Sequence, residues 1–419
     1  MRCALNNSKR VPHLDDQKHP SNGSARLFSN VQFIYELILA QLELYSLGAA
    51  FKLTDEFSRF TLLNVIDDER LRRRVAYFQT INGASSDYSL ISRKNRTRSV
   101  NQYLTHWMYP YKGKFHPQMI RAALNIIGLQ AGDTVLDPFV GSGTTALEAQ
   151  LLGVNCIGLD ASPLCVLQSK VKTASHEVVG SIRTYCEELP KIEHADIALE
   201  EATLNPVSST ADKRVQDFFQ LAKLIALSDS VRRRKDFTSA FASRTKLMTQ
   251  SIMDYDDISR DLGLSLGRVV IERGDARALP LRDNSIDGVI TSPPYAIALD
   301  YIKNDAHALQ ALGMDMREIR EHFVGLRGRM NERVRLYDED IKRSLDEMMR
   351  VLKPNKYALI VIGNATYKGQ TLESVELITK YASDIGLQLT KSVNKTIFGL
   401  YNVMQKEKVL IFKKDEECT

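Results

Sequence analysis

The sequence predicts an α/β fold: a Rossmann-like, doubly wound and mostly parallel sheet that ends in an antiparallel hairpin and is interrupted by an inserted helical subdomain. Three observations lead there. The runs "TVLDPF", "NCIGLD", "RVVIERGD", "DGVITSPP", "YALIVIGN" and "KVLIFKK" are short, β-branched and apolar, and most end in Asp, Pro or Asn. Segments of helical period lie between most of them, the order that a parallel sheet with helices on both faces requires. The last run follows "SVNKTIFGLYNVMQKE" closely, as the second strand of a hairpin does.

A chain of 419 residues exceeds one typical domain, and 44% hydrophobic with 26% charged residues is ordinary for a soluble globular protein. Four segments are predicted: 1–100, a mostly helical N-terminal extension; 101–175, the first part of the sheet domain; 176–265, a helical insertion; and 266–419, the second part. The insertion is inferred because the hundred or so residues after Asp160 hold no strand of comparable quality. Near the start, "VQFIYELILAQLELYSLGAAF" is broken by Glu36, Gln41 and Glu43, so it reads as an amphipathic helix and not as a membrane span. The residues before it lack the apolar block of a signal peptide, and the expected location is the cytoplasm. Five cysteines without a C-x-x-C pair argue against a zinc site or a disulfide framework. A net charge of +5 permits a polyanionic partner without demanding one.

The stretch "VLDPFVGSGTTALEAQLLG" (135–153) is a strand, a glycine turn and a helix in succession. Gly141 and Gly143 let the backbone turn tightly beside a ligand, with Ser142 or Thr144 available to cap the helix. The stretch lacks the third glycine of a dinucleotide fingerprint and the Gly-Lys-Ser/Thr of a phosphate loop. By itself it is equally a plain tight turn. The next strand ends at Asp160, seventeen residues after Gly143, close to the spacing of an acid that binds both hydroxyls of a ribose, or else a helix cap. In "GDARALP", Asp275 closes a third strand, where a carboxylate can accept from an adenine amino group or stabilise a turn. Together the three describe an adenosine pocket with no demand for phosphate.

With "DPFVGSGTT" followed later by "SPPY", the chain resembles the S-adenosylmethionine-dependent amino methyltransferases that act on DNA bases, the N4-cytosine and N6-adenine class. The upstream "YPYKGKFHPQMI" is similar to the segment that closes over the methionine end of the cofactor in these enzymes. The resemblance covers about 115–175 and 268–412, with the glycine motif first, unlike the permuted members in which the proline motif leads. It implies S-adenosylmethionine as cofactor, with Lys114, Phe115, His116, Pro117, Asp137, Pro138, Phe139, Gly141, Ser142, Gly143, Thr144, Asp160, Ala161, Asp275 and Ala276 around it. It also implies double-stranded DNA as partner and, in a restriction-modification system, a cognate endonuclease.

The same resemblance makes Ser292, Pro293, Pro294 and Tyr295 the catalytic element. An exocyclic amino nitrogen is a poor nucleophile because its lone pair is delocalised into the ring. If Ser292 and the Pro293 carbonyl accept its two hydrogens, the lone pair turns toward the methyl sulfonium, and two prolines hold those acceptors still. Tyr295 would stack on a base flipped out of the duplex, a task that needs its ring more than its hydroxyl. A serine at the head of the motif is typical of cytosine-N4 members, so the expected product is N4-methylcytosine. The alternatives are N6-methyladenine, methylation of a guanine amino group in RNA, and a non-catalytic nucleic-acid-binding protein of the same fold. Methylation at cytosine C5 is excluded, since it uses a Pro-Cys nucleophile and no such pair occurs. No histidine spacing suggests a metal. Arg232, Arg233 and Arg234 of "VRRRK" are candidate phosphate contacts or a solvated helix face, and the charged stretch 317–350 reads as a solvated amphipathic helix pair. Asn364 and Tyr367 are candidate pocket residues.

Overall fold

The computed structural model describes residues 23–54, 57–65, 67–111, 113–188, 212–295, 301–328, 332–367, 370–398 and 404–416. Residues 23–92 form β1 (Gly23–Leu27), α1 (Ile34–Ser46), β2 (Ala50–Leu53), β3 (Arg59–Asn64), α2 (Asp68–Arg74), β4 (Phe78–Ile81), β5 (Ala84–Ser85) and α3 (Asp87–Ser92). The strands make an antiparallel sheet of order β2-β3-β1-β4-β5. This corrects the expectation of a mostly helical extension. Strands of two to six residues, with Ser, Thr and Arg between their buried positions, carry too short an alternation to stand out. Their pairing is decided by packing, with Ala25, Leu27, Phe60, Leu62 and Phe78 buried in one cluster with Leu39 and Leu44 of α1.

The second sheet has seven strands. In chain order the elements are α4 (Pro117–Ile126), β6 (Thr134–Asp137), α5 (Thr144–Leu151), β7 (Asn155–Asp160), α6 (Pro163–Ala174), α7 (Val179–Glu188), α8 (Lys213–Arg233), α9 (Phe237–Asp261), β8 (Val269–Arg273) and β9 (Ile286–Thr291). They continue as α10 (Tyr301–Asn304), α11 (Ala306–Ala311), α12 (Met316–His322), α13 (Arg333–Val351), β10 (Leu352–Gly363), β11 (Ala365–Tyr367), β12 (Gln370–Leu372), α14 (Ser374–Asp384), β13 (Leu387–Phe398) and β14 (Met404–Lys414). The sheet order is β13-β14-β10-β9-β6-β7-β8, while β11 and β12 pair separately. Strands β6 to β10 run parallel, and β14 and β13 add antiparallel as the predicted terminal hairpin. The fold is therefore a doubly wound α/β sheet of Rossmann-like type.

Every residue of β9, "IDGVIT", is buried, as a central parallel strand covered on both faces must be. Strand order reverses between β6 and β9: β7 and β8 extend one way and β10 the other. Ligands of such sheets bind in the crevice beyond the carboxyl ends of the strands flanking that reversal. Those ends are Asp137, the first residue of the glycine motif, and Thr291, one residue before the proline motif.

The first sheet shares its core with the second. The cluster containing Phe60 and Leu39 continues through Met119, Ile120, Val135, Ile290 and Leu359. Helices α8 and α9 bury Phe218, Phe219, Met248 and Ile252 against Leu164 and Val171 of α6 and against Ile302 and Leu309. Among the described residues, no helix is long and apolar enough to cross a membrane.

One buried carboxylate joins α1 to both neighbours. Glu43 accepts from the backbone N–H of Ala76 (2.8 Å) and Tyr77 (3.2 Å) and from Asn125 Nδ2 of α4 (2.7 Å). Burial pushes its carboxyl from 4.5 to about 7, against the lowering effect of those donors. A raised folded-state pKa means that this group's contribution is complete below about pH 4.5 and is lost as pH rises through about 7. Glu43→Ala strands three donors, so its urea-unfolding free energy at pH 5 should fall by roughly 3 kcal/mol. The deficit should shrink by pH 8, where the wild-type carboxylate is ionised in an apolar site.

Candidate active site

A cavity of about 500 Å³ opens where the strand order reverses, a size suited to a nucleoside-sized ligand. Its first wall is the turn after β6. Gly141 (φ +50°) and Gly143 (φ +76°) take the left-handed conformation that favours glycine. A Cβ on Gly143 would stand 2.8 Å from Ser169 Oγ and 3.1 Å from Ser169 Cα, and one on Gly141 would meet the Tyr111 ring at 3.2 Å. Helix α5 is capped by Gly143 itself, with no side-chain cap. The expected cap from Ser142 or Thr144 is absent because the two hydroxyls face each other at 3.2 Å.

Helix α6 grips this turn from behind. Ser169 Oγ donates to the Gly141 carbonyl (3.1 Å), Gln168 Nε2 donates to it at 3.3 Å, and Lys172 Nζ donates to the Ser142 carbonyl (2.7 Å). Lys172 is fully buried, and burial holds its pKa far below the ordinary lysine value. From the front, Asp160 Oδ2 accepts from Gly141 N–H (2.9 Å) and Oδ1 accepts from Ser162 N–H (2.8 Å). Burial pushes the Asp160 carboxyl from 3.8 to about 6, opposed by those two amides.

Asp137 and Thr291 join the two motifs. Thr291 Oγ1 donates to Asp137 Oδ1 at 2.7 Å, and both side chains are buried. Burial raises the Asp137 carboxyl to about 6. Beyond Thr291 the chain enters Ser292, Pro293, Pro294 and Tyr295, all on the cavity wall. The Tyr295 hydroxyl donates to Glu407 Oε1, and Lys395 Nζ pairs with Glu407 Oε2.

Most of the sequence-predicted residues share this one cavity. Lys114, Phe115, Pro138, Phe139 and Gly141 line it, as do Ser142, Thr144, Asp160 and Ala161, together with Asp275 and Ala276. Asp137, Gly143, His116 and Pro117 do not line it. His116 and Pro117 start α4, where burial lowers the His116 imidazole to about 4. Lys114 Nζ donates to the His106 carbonyl, and burial lowers its ammonium to about 7. The Asp275 carboxylate is chelated by Arg277 Nε (2.9 Å) and Nη2 (2.7 Å), and Arg277 also donates to the buried Asp340 (2.9 Å). Burial would raise Asp275, but the bonds from Arg277 outweigh it and hold the carboxyl below its usual range.

Arg232, Arg233 and Arg234 are exposed at the end of α8, with Arg232 donating to the Asn304 carbonyl (2.9 Å) and Arg233 paired with Asp229 (3.3 Å). Asn364 lies off the cavity wall: its Oδ1 accepts from Val375 N–H (3.1 Å) at the start of α14, a capping role. The side chain of Tyr367 lies outside the described residues. The charged stretch from 317 is not only a solvated face. Arg327 donates to Asp340 (2.7 Å), and His322 and Phe323 reach the cavity. Sequence reasoning missed those two, and also Tyr111, Lys395 and Glu407. Only "YPYKG", already noted upstream, held a signal for any of them.

The geometry brings a glycine turn, two strand-end acids and a proline motif to one crevice, and the matches with known proteins agree. Residues 28–170 match the family model described as DNA methylase, of the N6/N4 type. Over those residues the chain resembles the DNA amino methyltransferases. The match starts at residue 28, so β2 to β5 of the N-terminal sheet, which the sequence motifs leave out, fall within the matched residues, and β1 lies just before them. The chain is 29% identical over 282 residues to the Type II methyltransferase M.BsoBI of Geobacillus stearothermophilus, covering 53% of this chain and 55% of that one. It is 22% identical to M.MvaI of Kocuria varians over 63% of this chain and 78% of that one. It is also 28% identical to the tRNA (guanine(10)-N2)-dimethyltransferase of Methanothermobacter thermautotrophicus over 26% of this chain and 33% of that one. The chain thus spans about half the length of M.BsoBI and a third of the tRNA enzyme.

The family's cofactor is S-adenosylmethionine. The cavity fits it: the crevice is closed to a Cβ at Gly141, and the carboxylates of Asp160 and Asp275 suit a ligand that presents hydroxyl and amino donors. Asp160→Ala should weaken S-adenosylmethionine binding by about 2 to 4 kcal/mol in calorimetry, and Gly141→Val should weaken it by forcing a side chain toward Tyr111. A ribose at Asp160 would donate its hydroxyls to the ionised carboxylate. Wild-type affinity should therefore fall by up to about tenfold per pH unit as pH drops below about 6, and the profile of Asp160→Ala should be flatter. Unchanged affinity in both folded variants would remove Asp160 and the glycine turn from the cofactor site.

Proposed function

We propose that the chain transfers a methyl group from S-adenosylmethionine to the exocyclic N4 of cytosine in duplex DNA, in the cytoplasm, as the modification enzyme of a restriction-modification pair or as an orphan. One observation carries this reading. The strand ends that bear the two motifs are bound to each other by the 2.7 Å hydrogen bond from Thr291 to Asp137, and both motifs border one cavity. A methyl donor on one and a base on the other would meet there.

Each residue then has a task. Asp160 accepts from the ribose, Asp275 and Ala276 flank the adenine, and Lys114 and Phe115 stand at the methionine end. Ser142 and Thr144 border the cofactor along the glycine turn, and Asp137, Gly143, His116 and Pro117 shape it from behind. Bound S-adenosylmethionine supplies the methyl group as an electrophile. Ser292 Oγ and the Pro293 carbonyl accept the two hydrogens of the base's amino group, aiming its lone pair, and Pro294 stiffens the loop. The Tyr295 ring stacks on the base, which has left the duplex to enter. Serine at the head of the motif supports cytosine, and the DNA methylase match together with the Type II relatives supports DNA over RNA. Arg232, Arg233 and Arg234 face phosphate in this reading, since Arg232 is tied to Asn304, nine residues beyond Tyr295. Neutralising all three should weaken binding to every duplex alike and lower the salt slope by up to about one unit for each phosphate left without its arginine.

The test is single-turnover transfer of labelled methyl to duplex DNA, with the product nucleoside identified by mass spectrometry. The expected product is N4-methylcytosine. Pro293→Ala and Tyr295→Ala should lower the rate with cofactor affinity nearly intact, Tyr295→Ala by about ten- to a hundredfold. N6-methyladenine would overturn the choice of base, methylated guanine in RNA alone would overturn DNA, and cofactor binding without transfer would favour a non-catalytic role.

A further inference from the structure

Behind the proline motif stands a charged pair that no step above uses. Lys395 of β13 and Glu407 of β14 are direct cross-strand partners, and Glu407 is also opposite Gly363 of β10. They are 8% and 7% exposed, and both line the cavity. Glu407 shares its strand face with Val409 and Ile411, and Lys395 shares its own with Val393, all three of them buried in the core that runs to the N-terminal sheet. An apolar stripe therefore ends, at the cavity, in an ion pair. A buried pair in such a place adds little stability over apolar side chains of the same size. It does make a directional contact: Glu407 Oε1 accepts from the Tyr295 hydroxyl, while Oε2 is taken by Lys395. Gly363 leaves the space, since a Cβ there would stand 3.3 Å from Glu407 Cγ and 3.0 Å from the Lys406 carbonyl.

We propose that Glu407, oriented by Lys395, is a positioning residue for Tyr295. Its carboxylate takes the phenol hydroxyl and fixes the plane of the ring against which the target base stacks. The hydroxyl, to which the sequence assigns no task, is thus the handle by which the C-terminal hairpin holds the catalytic loop. The ring's swing about its Cα–Cβ and Cβ–Cγ bonds is restrained before the base arrives, so less ordering is left for the reacting complex. The effect belongs to the transfer step and not to cofactor binding. The inference rests on the proposed base-methylation reading only for the identity of what stacks on the ring.

The experiment compares wild type, Tyr295→Phe, the double variant Lys395→Met/Glu407→Leu, which keeps the site filled and uncharged, and the triple variant. Tyr295→Phe and the double variant should each slow single-turnover methyl transfer by about 3- to 10-fold, less than Tyr295→Ala, with S-adenosylmethionine affinity and melting temperature near wild type. The triple variant should be no slower than the double, because all three changes break one contact. Glu407→Gln, whose amide oxygen still accepts from the phenol, should keep more of the rate than the leucine variant. A wild-type rate in the double variant, or a triple defect equal to the product of the separate ones, would overturn the proposal. A second readout does not depend on catalysis: NMR of protein with ring-labelled tyrosine should report faster Tyr295 ring flips in the double variant. If wild type methylates no DNA, the functional reading falls. The tether then stands on a changed Tyr295 signal and falls on an unchanged one.

Discussion

The hydrogen bond from Thr291 to Asp137 is the constraint on which the site depends. It joins the carboxyl ends of β6 and β9, the adjacent strands at which the winding of the sheet reverses. A glycine turn follows one and a proline turn the other, and each turn is rigid for its own reason: positive φ at Gly141 and Gly143, the missing N–H and locked φ at Pro293 and Pro294. A short contact between two buried side chains converts two stiff loops into one stiff crevice. The cost is a carboxyl held in apolar surroundings, visible in its rise to about 6.

Around this joint the protein places buried polar groups where backbone would otherwise be unsupported. Lys172, Gln168 and Ser169 hold the outward carbonyls of the glycine turn, while Asp160 holds its amide. Arg277 bridges Asp275 to Asp340, and Arg327 closes on the same aspartate, so the turn after β8 and the start of α13 are fixed together. Asp160 and Asp275 themselves line the cavity, and their partners brace them there.

The seven-stranded sheet was legible because parallel strands, covered on both faces, leave continuous apolar runs such as "DGVIT" and "ALIVIG" that need no partner to be recognised. The N-terminal sheet was not, since strands as short as Ala84–Ser85 exist only through their neighbours. Contiguous motifs were legible for the site as well: Asp160 closes β7, Gly141 lies in the turn that follows β6 and Ser292 directly follows β9, so each sits where a strand's end puts it. Tyr111 came within reach of sequence reasoning through its motif. His322, Phe323, Lys395 and Glu407 did not, because each arrives from a helix or hairpin whose own pattern has no chemistry in it.

By itself the sequence determined the fold class, the glycine and proline turns, and the acids at the ends of β7 and β8, since all of these follow from local backbone rules acting over a few residues. Tertiary structure alone decided that β6 lies beside β9 and not beside β8, which is what sets the two motifs face to face. It also decided that Lys395 meets Glu407 in register and that Glu407 meets Tyr295, 112 residues away along the chain. Strand order and register minimise the free energy of the whole core, so no window of sequence short enough to read by eye contains them.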